Sequence, residues 1–446
     1  MSCNWPTVTV EDIASKSPNA LATGPFGSAI SSKFFTDSGV PVIRGSNLSA
    51  DTGVRLKDEG IVFVSEEKSK EFTRSVARVG DLVFTCWGTI NQVGYIDGTS
   101  NWDEYIISNK QMKLTVDTTK VDPRFLYYVF SSPLKQQEII SNGIGAAVPG
   151  FNLGQLRKHT LQLPPLIAQS AIADTLELLD KKANQNTEIN QTLEEMAQAI
   201  FKSWFVDFDP VKAKMSGEQP EGMDAATASL FPEKLVESEM GLIPEGWDIA
   251  SIKDFGSVVC GKTPSKKNAE FYGGDVPFIK IPDTHGKVFI TETTDTLTQA
   301  GDESQPKKRI PENSICVSCI ATVGQVFITT KPSHTNQQIN SVVPHDSNSL
   351  YYLLFKFKGL SKHFHDLASG GSATLNMNTR TFSNVELVRP TADVMEAFHQ
   401  TIGGLMQKML TNQLENATLA QLRDTLLPKL LSGEIELGET GKSAND

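Results

Sequence analysis

Two short runs in this sequence combine residue types and spacings that can do chemistry. Gly256-Ser-Val-Val-Cys-Gly261-Lys262-Thr263 matches the P-loop pattern letter for letter, in which backbone N–H groups cradle phosphates and the lysine reaches them. A P-loop also needs a buried strand before it and a helix after it whose N-terminus faces the anion. Here Pro264 and the polar run Ser265-Lys266-Lys267-Asn268 follow at once, and no apolar helical pattern arises until much later. The corresponding stretch nearer the N-terminus, Gly24-Pro25-Phe26-Gly27-Ser28, lacks the Lys-Thr pair. The favoured reading is a flexible, lysine-bearing loop that approaches a nucleic-acid backbone; nucleotide binding is the alternative.

The second run is Cys316-Val-Ser-Cys319, a lone CxxC inside an apolar strand. Zinc takes four ligands, and neither a second CxxC nor a paired histidine lies nearby. Two buried thiols are expected, and no metal. The seven histidines and 52 carboxylates show no catalytic spacing. HExxH, GxSxG, a nuclease-like carboxylate set and the Asn/Asp-Pro-Pro-aromatic motif of amino-methyltransferases are all absent. No catalytic residue is expected.

The elements that carry these loops come from a duplication. A shift of 226 takes Pro164 to Pro390, Gly145 to Gly371, Ala147 to Ala373 and Asn152 to Asn378. It also takes Ala171 to Ala397, Thr175 to Thr401, Leu179 to Leu405, Lys182 to Lys408, Asn186 to Asn412, Asn190 to Asn416, Thr192 to Thr418 and Leu193 to Leu419. Upstream the offset drifts but landmarks persist. Asn109-Lys110-Gln111 answers to Asn336-Gln337-Gln338, and Pro41–Arg44 to Pro277–Lys280. Val83–Ile96 answers to Ser314–Val326, with Cys86 facing Cys316 and Gly94 facing Gly324; Asn4-Trp5 answers to Gly246-Trp247. Two copies this long are domains rather than solenoid repeats.

The first part of each copy reads as α+β. Apolar, β-branched runs such as Leu82–Thr85, Met112–Val116, Pro277–Ile281 and Ile315–Ser318 are broken by Gly, Pro, Asn and Asp. One helix is expected over Pro123–Ser141, with Phe125, Leu126, Val129, Phe130, Leu134 and Ile139 on its face. Glycine-rich loops follow at Gly143–Gly150 and Gly370–Ala373.

The second part of each copy is a long helix. In the first, Ile172, Leu176, Leu179, Ala183, Asn186, Ile189, Leu193, Met196 and Ile200 recur in steps of three and four. In the second, Phe398, Ile402, Leu405, Met409, Asn412, Asn416, Leu419, Leu422 and Leu426 do the same. Such a pattern is the seam of a two-stranded coiled coil, and about 33 residues make a rod of roughly 50 Å. The expected fold is therefore two similar α+β modules, each followed by a long helix, with the helices pairing as an antiparallel coiled coil through Leu179, Asn186, Leu193, Leu405, Asn412 and Leu419. A buried Asn is best satisfied by a like partner, so Asn186 is expected to face Asn412.

At 446 residues, 39% hydrophobic and 21% charged, the chain suits two or three globular domains. No apolar run approaches the roughly 18 residues of a membrane span. Met1–Pro6 lacks the features of a secretory signal, and five scattered cysteines fit reduced thiols, so a cytoplasmic location is expected. The net charge of −11 runs against DNA binding by the chain alone, since phosphate neutralisation supplies most of that affinity. Any basic surface must be local, or partner subunits must supply part of it.

Amide and basic groups do concentrate in the loops. The first module offers Lys33, Arg44, Asn47, Lys110, Asn152 and Arg157. The second offers Lys262, Lys266, Lys267, Lys280, Asn336, Gln337, Asn376, Asn378 and Arg380. Arg and Lys suit guanine edges and phosphates, and Asn and Gln suit adenine. The competing role for any one of them is a turn or helix cap.

With these motifs in place, the sequence resembles the specificity subunits of type I restriction–modification systems along essentially its whole length. The most specific stretches are Phe201-Lys-Ser-Trp-Phe-Val-Asp-Phe-Asp-Pro-Val-Lys212, Gly241-Leu-Ile-Pro-Glu-Gly-Trp247 and Leu422-Arg-Asp-Thr-Leu-Leu-Pro-Lys-Leu-Leu-Ser-Gly-Glu-Ile435. Gly261-Lys-Thr-Pro-Ser265 and Phe271-Tyr-Gly-Gly-Asp-Val-Pro-Phe-Ile-Lys280 are similar to the family's recognition domains.

The resemblance implies target recognition domains at 1–165 and 247–391 and conserved long helices at 166–206 and 392–431. A connector at 207–246, structured with some mobility, and a tail at 432–446 complete the plan. It implies double-stranded DNA read as a bipartite site, two methyltransferase subunits docked on the helices, and restriction/translocase subunits joined through them. S-adenosylmethionine, ATP and Mg belong to those partners, and no cofactor to this chain. A coiled-coil scaffold that never touches DNA is the remaining alternative.

Overall fold

The computed structural model describes residues 5–145, 149–369 and 375–435. Cys3, Asn4, Ala147, Gly371 and Ala373, with the rest of the glycine run at 370–374 and the tail from 436, lie outside them. The chain divides into two compact units, residues 1–186 with 415–446 and residues 187–414. Both long helices, Leu166–Phe205 and Ala392–Leu431, contribute to each unit.

In the first unit a four-stranded antiparallel sheet runs Leu21–Thr23, Gln111–Leu114, Leu82–Thr85, Val93–Tyr95 in spatial order. A five-stranded sheet holds Val40–Ile43 parallel to Glu104–Ile107. The four-stranded sheet is backed by the helix Pro123–Ser131, whose residues from Phe125 to Ser131 are all buried. The single helix expected over Pro123–Ser141 is two, broken at Ser132–Pro133. Proline has no N–H to continue the first helix and pushes the residue before it into extended backbone. Ser132 adopts that conformation and caps the second helix by accepting from Lys135 N. Leu134, expected on the buried face, is 66% exposed as a result.

The second unit repeats the plan. Gly256–Cys260, Ile339–Pro344, Ile315–Ser318, Val326–Thr329 and Phe289–Ile290 form a five-stranded sheet whose first four strands follow the same order. It lies with the helix Leu350–Gly359 in one apolar core. The connector folds as well. It forms two short helices and the hairpin Leu235–Ser238/Gly241–Pro244, and its Val211, Phe231 and Ile243 join that core beside Trp204 and Trp247.

The long helices are antiparallel. In the first unit Ala183 and Asp180 meet Asn416 and Arg423; in the second, Asn190 meets Met409 and Phe201 meets Phe398. The expected Asn186–Asn412 pair gives way to an exchange. Asn186 Nδ2 donates to Asn416 Oδ1 at 2.9 Å, and Asn416 Nδ2 to the Ala183 carbonyl. Asn412 Nδ2 donates to Asn190 Oδ1 at 2.9 Å, and Asn190 Nδ2 to the Met409 carbonyl. The 226-residue shift converts each set into the other.

Helical periodicity identifies the facing stripe but not the stagger of an antiparallel partner, and the stagger selected both Asn pairs. It also moves the seam: Ile189, Met196 and Leu422 are exposed, while Asn190 is half-buried and Ala197 and Arg423 are buried. Leu179, Leu193, Leu405 and Leu419 are half-buried.

Candidate nucleic-acid interface

Backbone hydrogen bonds fix which residues of the two modules correspond. Cys86 N donates to Lys110 O at 2.6 Å, and Cys319 N to Gln338 O at 2.7 Å. Ser108 N bonds to Ile43 O as Asn336 N bonds to Ile279 O. Gln111 N bonds to Ser108 O as Ile339 N bonds to Asn336 O. Phe151 N bonds to Cys86 O as Met377 N bonds to Cys319 O. Thr85 N bonds to Gln92 O as Ser318 N bonds to Gln325 O.

Cys86 therefore corresponds to Cys319, not Cys316, and Ser108–Lys110 to Asn336–Gln338, one residue off the sequence match. A CxxC offers two cysteines three residues apart, and identity alone cannot choose between them.

Within this frame the P-loop reading fails. Gly256–Cys260 is a strand paired with Ile339–Pro344, where a P-loop needs a phosphate-cradling turn that opens a helix. The strand explains the glycines: a Cβ on Gly256 would lie 2.3 Å from Val343 O. One on Gly261 would lie 2.1 Å from Asn336 O, and one on its counterpart Gly24 1.8 Å from Ser108 O. The Lys262 loop is tied down. Lys262 N donates to Thr335 O, Gln305 Nε2 donates to Lys262 O at 2.8 Å, and Thr263 Oγ1 donates to Gln337 Oε1 at 2.7 Å.

The two CxxC thiols are buried. Burial pushes both thiols up, and among the described residues no group of three or more His, Cys, Asp or Glu side chains could hold a metal ion.

The remaining candidate residues divide by what they touch. Asn47 is fully buried; its Oδ1 accepts from Arg44 N and its Nδ2 donates to Lys57 O. Asn336 is buried and bonds to Gln338 through both ends of its amide. Asn152 and Asn378 are helix N-caps, accepting from Gln155 N and Thr381 N. Arg157 is paired with Glu11 at 2.7 Å, and Lys280 with Asp295. These groups shape loops. Lys33, Lys110, Lys262, Lys266, Lys267, Gln337, Asn376 and Arg380 are exposed.

Of the first module's candidates, the structure brings Arg44 and Lys110 to one cleft of about 580 Å³. The same cleft takes in Trp87, Gln92 and Gln111, which the loop-based reading of the sequence passed over. A polar Gln111 opening the strand Gln111–Leu114 and a Trp in the Cys86-Trp-Gly-Thr turn are the signals that could have marked them.

Two repeated α+β modules with long paired helices and loop-borne amide and basic groups define a class of multi-module recognition protein, and the comparisons give the family. The type I restriction modification DNA specificity domain matches residues 4–195 and 244–423. The HindI type I restriction enzyme specificity subunit of Haemophilus influenzae is 42% identical over 383 residues, covering 76% of this chain and 83% of that protein. The MjaIX specificity subunit of Methanocaldococcus jannaschii is 23% identical over 383 residues, covering 84% and 82%. The S subunit structure from M. genitalium shares the fold at a TM-score of 0.52 and 14% identity, over 96% of both chains. The chain belongs to the type I restriction–modification DNA specificity family. It is a DNA-recognition subunit and not catalytic alone.

Proposed function

We propose that this chain reads a bipartite DNA site, one half with residues 1–165 and the other with residues 247–391. The helices at 166–206 and 392–431 dock two methyltransferase subunits, which in turn carry restriction/translocase subunits, and the connector at 207–246 leads from the first helix to the second module. S-adenosylmethionine, ATP and Mg act on those partners, in the cytoplasm. One observation carries the reading: the two modules share a hydrogen-bonded frame, while side chains at matching cleft positions differ. Arg44, Trp87 and Gln111 stand where Lys280, Ile320 and Ile339 stand. A shared frame with changed readers is what two different half-sites require.

The acidic net charge fits a subunit whose partners supply part of the attraction for DNA phosphates. The test is selection from a randomised duplex pool by the complex assembled with its methyltransferase. Two short conserved tracts separated by a fixed unread spacer are expected. A single continuous tract, or no preference, would contradict it.

A further inference from the structure

The first module's cleft holds two polar groups that the fold leaves unsatisfied. Gln111 is 0% exposed; Ser108 Oγ donates to its Oε1, and its Nε2 has no partner among the described residues. With Ser108 Oγ donating to the amide oxygen, the free end of the amide is its nitrogen, a donor. Arg44 donates Nη2 to Gly60 O at 2.7 Å and lies over Phe35, 5.7 Å from the ring centroid, yet its buried Nε has no partner among the described residues. A buried donor without an acceptor is unfavourable, and two lining one cleft call for a ligand that accepts. Gln92, by contrast, is engaged by Thr85 and Leu48.

The walls are specific to this module. Trp87, 50% exposed, lies against Gly150, where a Cβ would come within 2.6 Å of the indole. In the second module Ile320 replaces Trp87 and Asn376 replaces Gly150, with the same backbone bridge. Ile339 replaces Gln111, so the second module has no amide there. The cleft is a side-chain variation on a constant frame.

We propose that this cleft reads one guanine of the half-site recognised by the first module. Gln111 donates to its N7 and Arg44 to the adjacent O6, Lys110 holds the neighbouring phosphate at the rim, and Trp87 packs against the base. Guanine is the base whose major-groove edge presents two adjacent acceptors. Adenine and cytosine each place a donor there, which would meet the donors of Arg44 and Gln111. The proposal rests on the bipartite reading above and deepens it.

The test uses the complex assembled with its methyltransferase and duplex DNA carrying 7-deazaguanine at each guanine of the site in turn. One position, in one half-site only, should lose binding by about 2- to 12-fold, the range for one hydrogen bond. Gln111→Leu should be indifferent to that replacement while still discriminating at the other half-site. Gln111→Glu keeps the volume and the Ser108 bond but turns a donor into an acceptor. It should shift preference at that base pair towards adenine or cytosine, a change that misfolding cannot produce.

Uniform weakening across all sequences, or wild-type indifference to every 7-deazaguanine, would overturn the proposal and leave the bipartite reading standing. A wild-type complex without any sequence preference would overturn both.

Discussion

The two units seat their modules on the long helices by different chemistry. In the first unit the junction is ionic. Arg55 pairs with Asp97 at 3.0 Å and with Glu177 of the first long helix at 2.7 Å. Arg124 bridges Asp122, Asp174 and Glu177. Tyr128 donates to Asp180 at 2.6 Å, and Asp180 also takes Arg423 of the second long helix at 3.0 Å. In the second unit the corresponding tyrosine, Tyr352, donates to the Val388 carbonyl. The positions related to Asp180 and Arg423 by the 226-residue shift are Met406 and Ala197, both fully buried. Phe201, Trp204, Phe205 and Phe398 pack there with ring centroids 4.9–6.1 Å apart.

The difference teaches that the duplication preserved helix geometry while leaving each junction free to choose its interactions. An ionic junction fixes orientation through directional bonds at a desolvation cost. Aromatic packing gains from burial and tolerates small rotations, and beside it Lys358 pairs with Glu194 and Tyr351 stacks on His399.

The largest expected effect breaks the ionic side. Arg423→Ala strands Asp180 in a buried setting and should destabilise the first unit by about 3–5 kcal/mol. Arg423→Ala combined with Asp180→Leu should recover much of that. Native-state hydrogen exchange resolves the two units, and equal loss of protection in both would refute a local junction. Phe398→Ala should remove about 3–5 kcal/mol from the second unit by opening a cavity among three aromatic rings, measured the same way.

Two tyrosines sharpen the contrast. Tyr128→Phe loses a bond to a charged acceptor, about 1.5–3 kcal/mol, whereas Tyr352→Phe loses a neutral one, about 0.5–1.5 kcal/mol. Urea midpoints in the two variants check the order.

Acid should loosen the first unit's junction with a smaller effect. Burial alone would raise Asp97 and Asp122, but hydrogen bonds from Thr99 and Arg55 to the first, and from Arg124 and Ser170 to the second, hold both below the ordinary aspartate value. Their stabilisation is complete above the unfolded value and is lost as pH falls through the folded one. Asp180 works in the opposite sense: burial raises it, so its contribution weakens as pH rises above the ordinary value. At this junction, two lowered groups against one raised group predict a seat on the helix that loosens below about pH 4. Asp122→Asn should flatten that dependence, and an unchanged urea midpoint profile for this variant would remove Asp122 from the explanation.

The helices, the duplication and the α+β character were legible in the sequence because an unbroken 226-residue register and a 3.6-residue period both report on packing. The partner exchange of Asn186 and Asn190 was not, because periodicity carries no information on stagger. Loop amides were the hardest to read. Asn47, Asn152, Asn336 and Asn378 carry the same group for holding a turn as for touching a base, and only their bonds show which role they fill. Gln111 was hidden for the opposite reason: it sits in a strand among apolar neighbours, where a reader of DNA is not sought.

The central claim, that each module reads its own half-site, is tested most directly by exchanging residues 1–165 for those of a relative and sequencing the methylated motif in cells. The account predicts that one half of the motif changes while the other half and the spacer stay fixed. A motif that changes in both halves, or in neither, would contradict it.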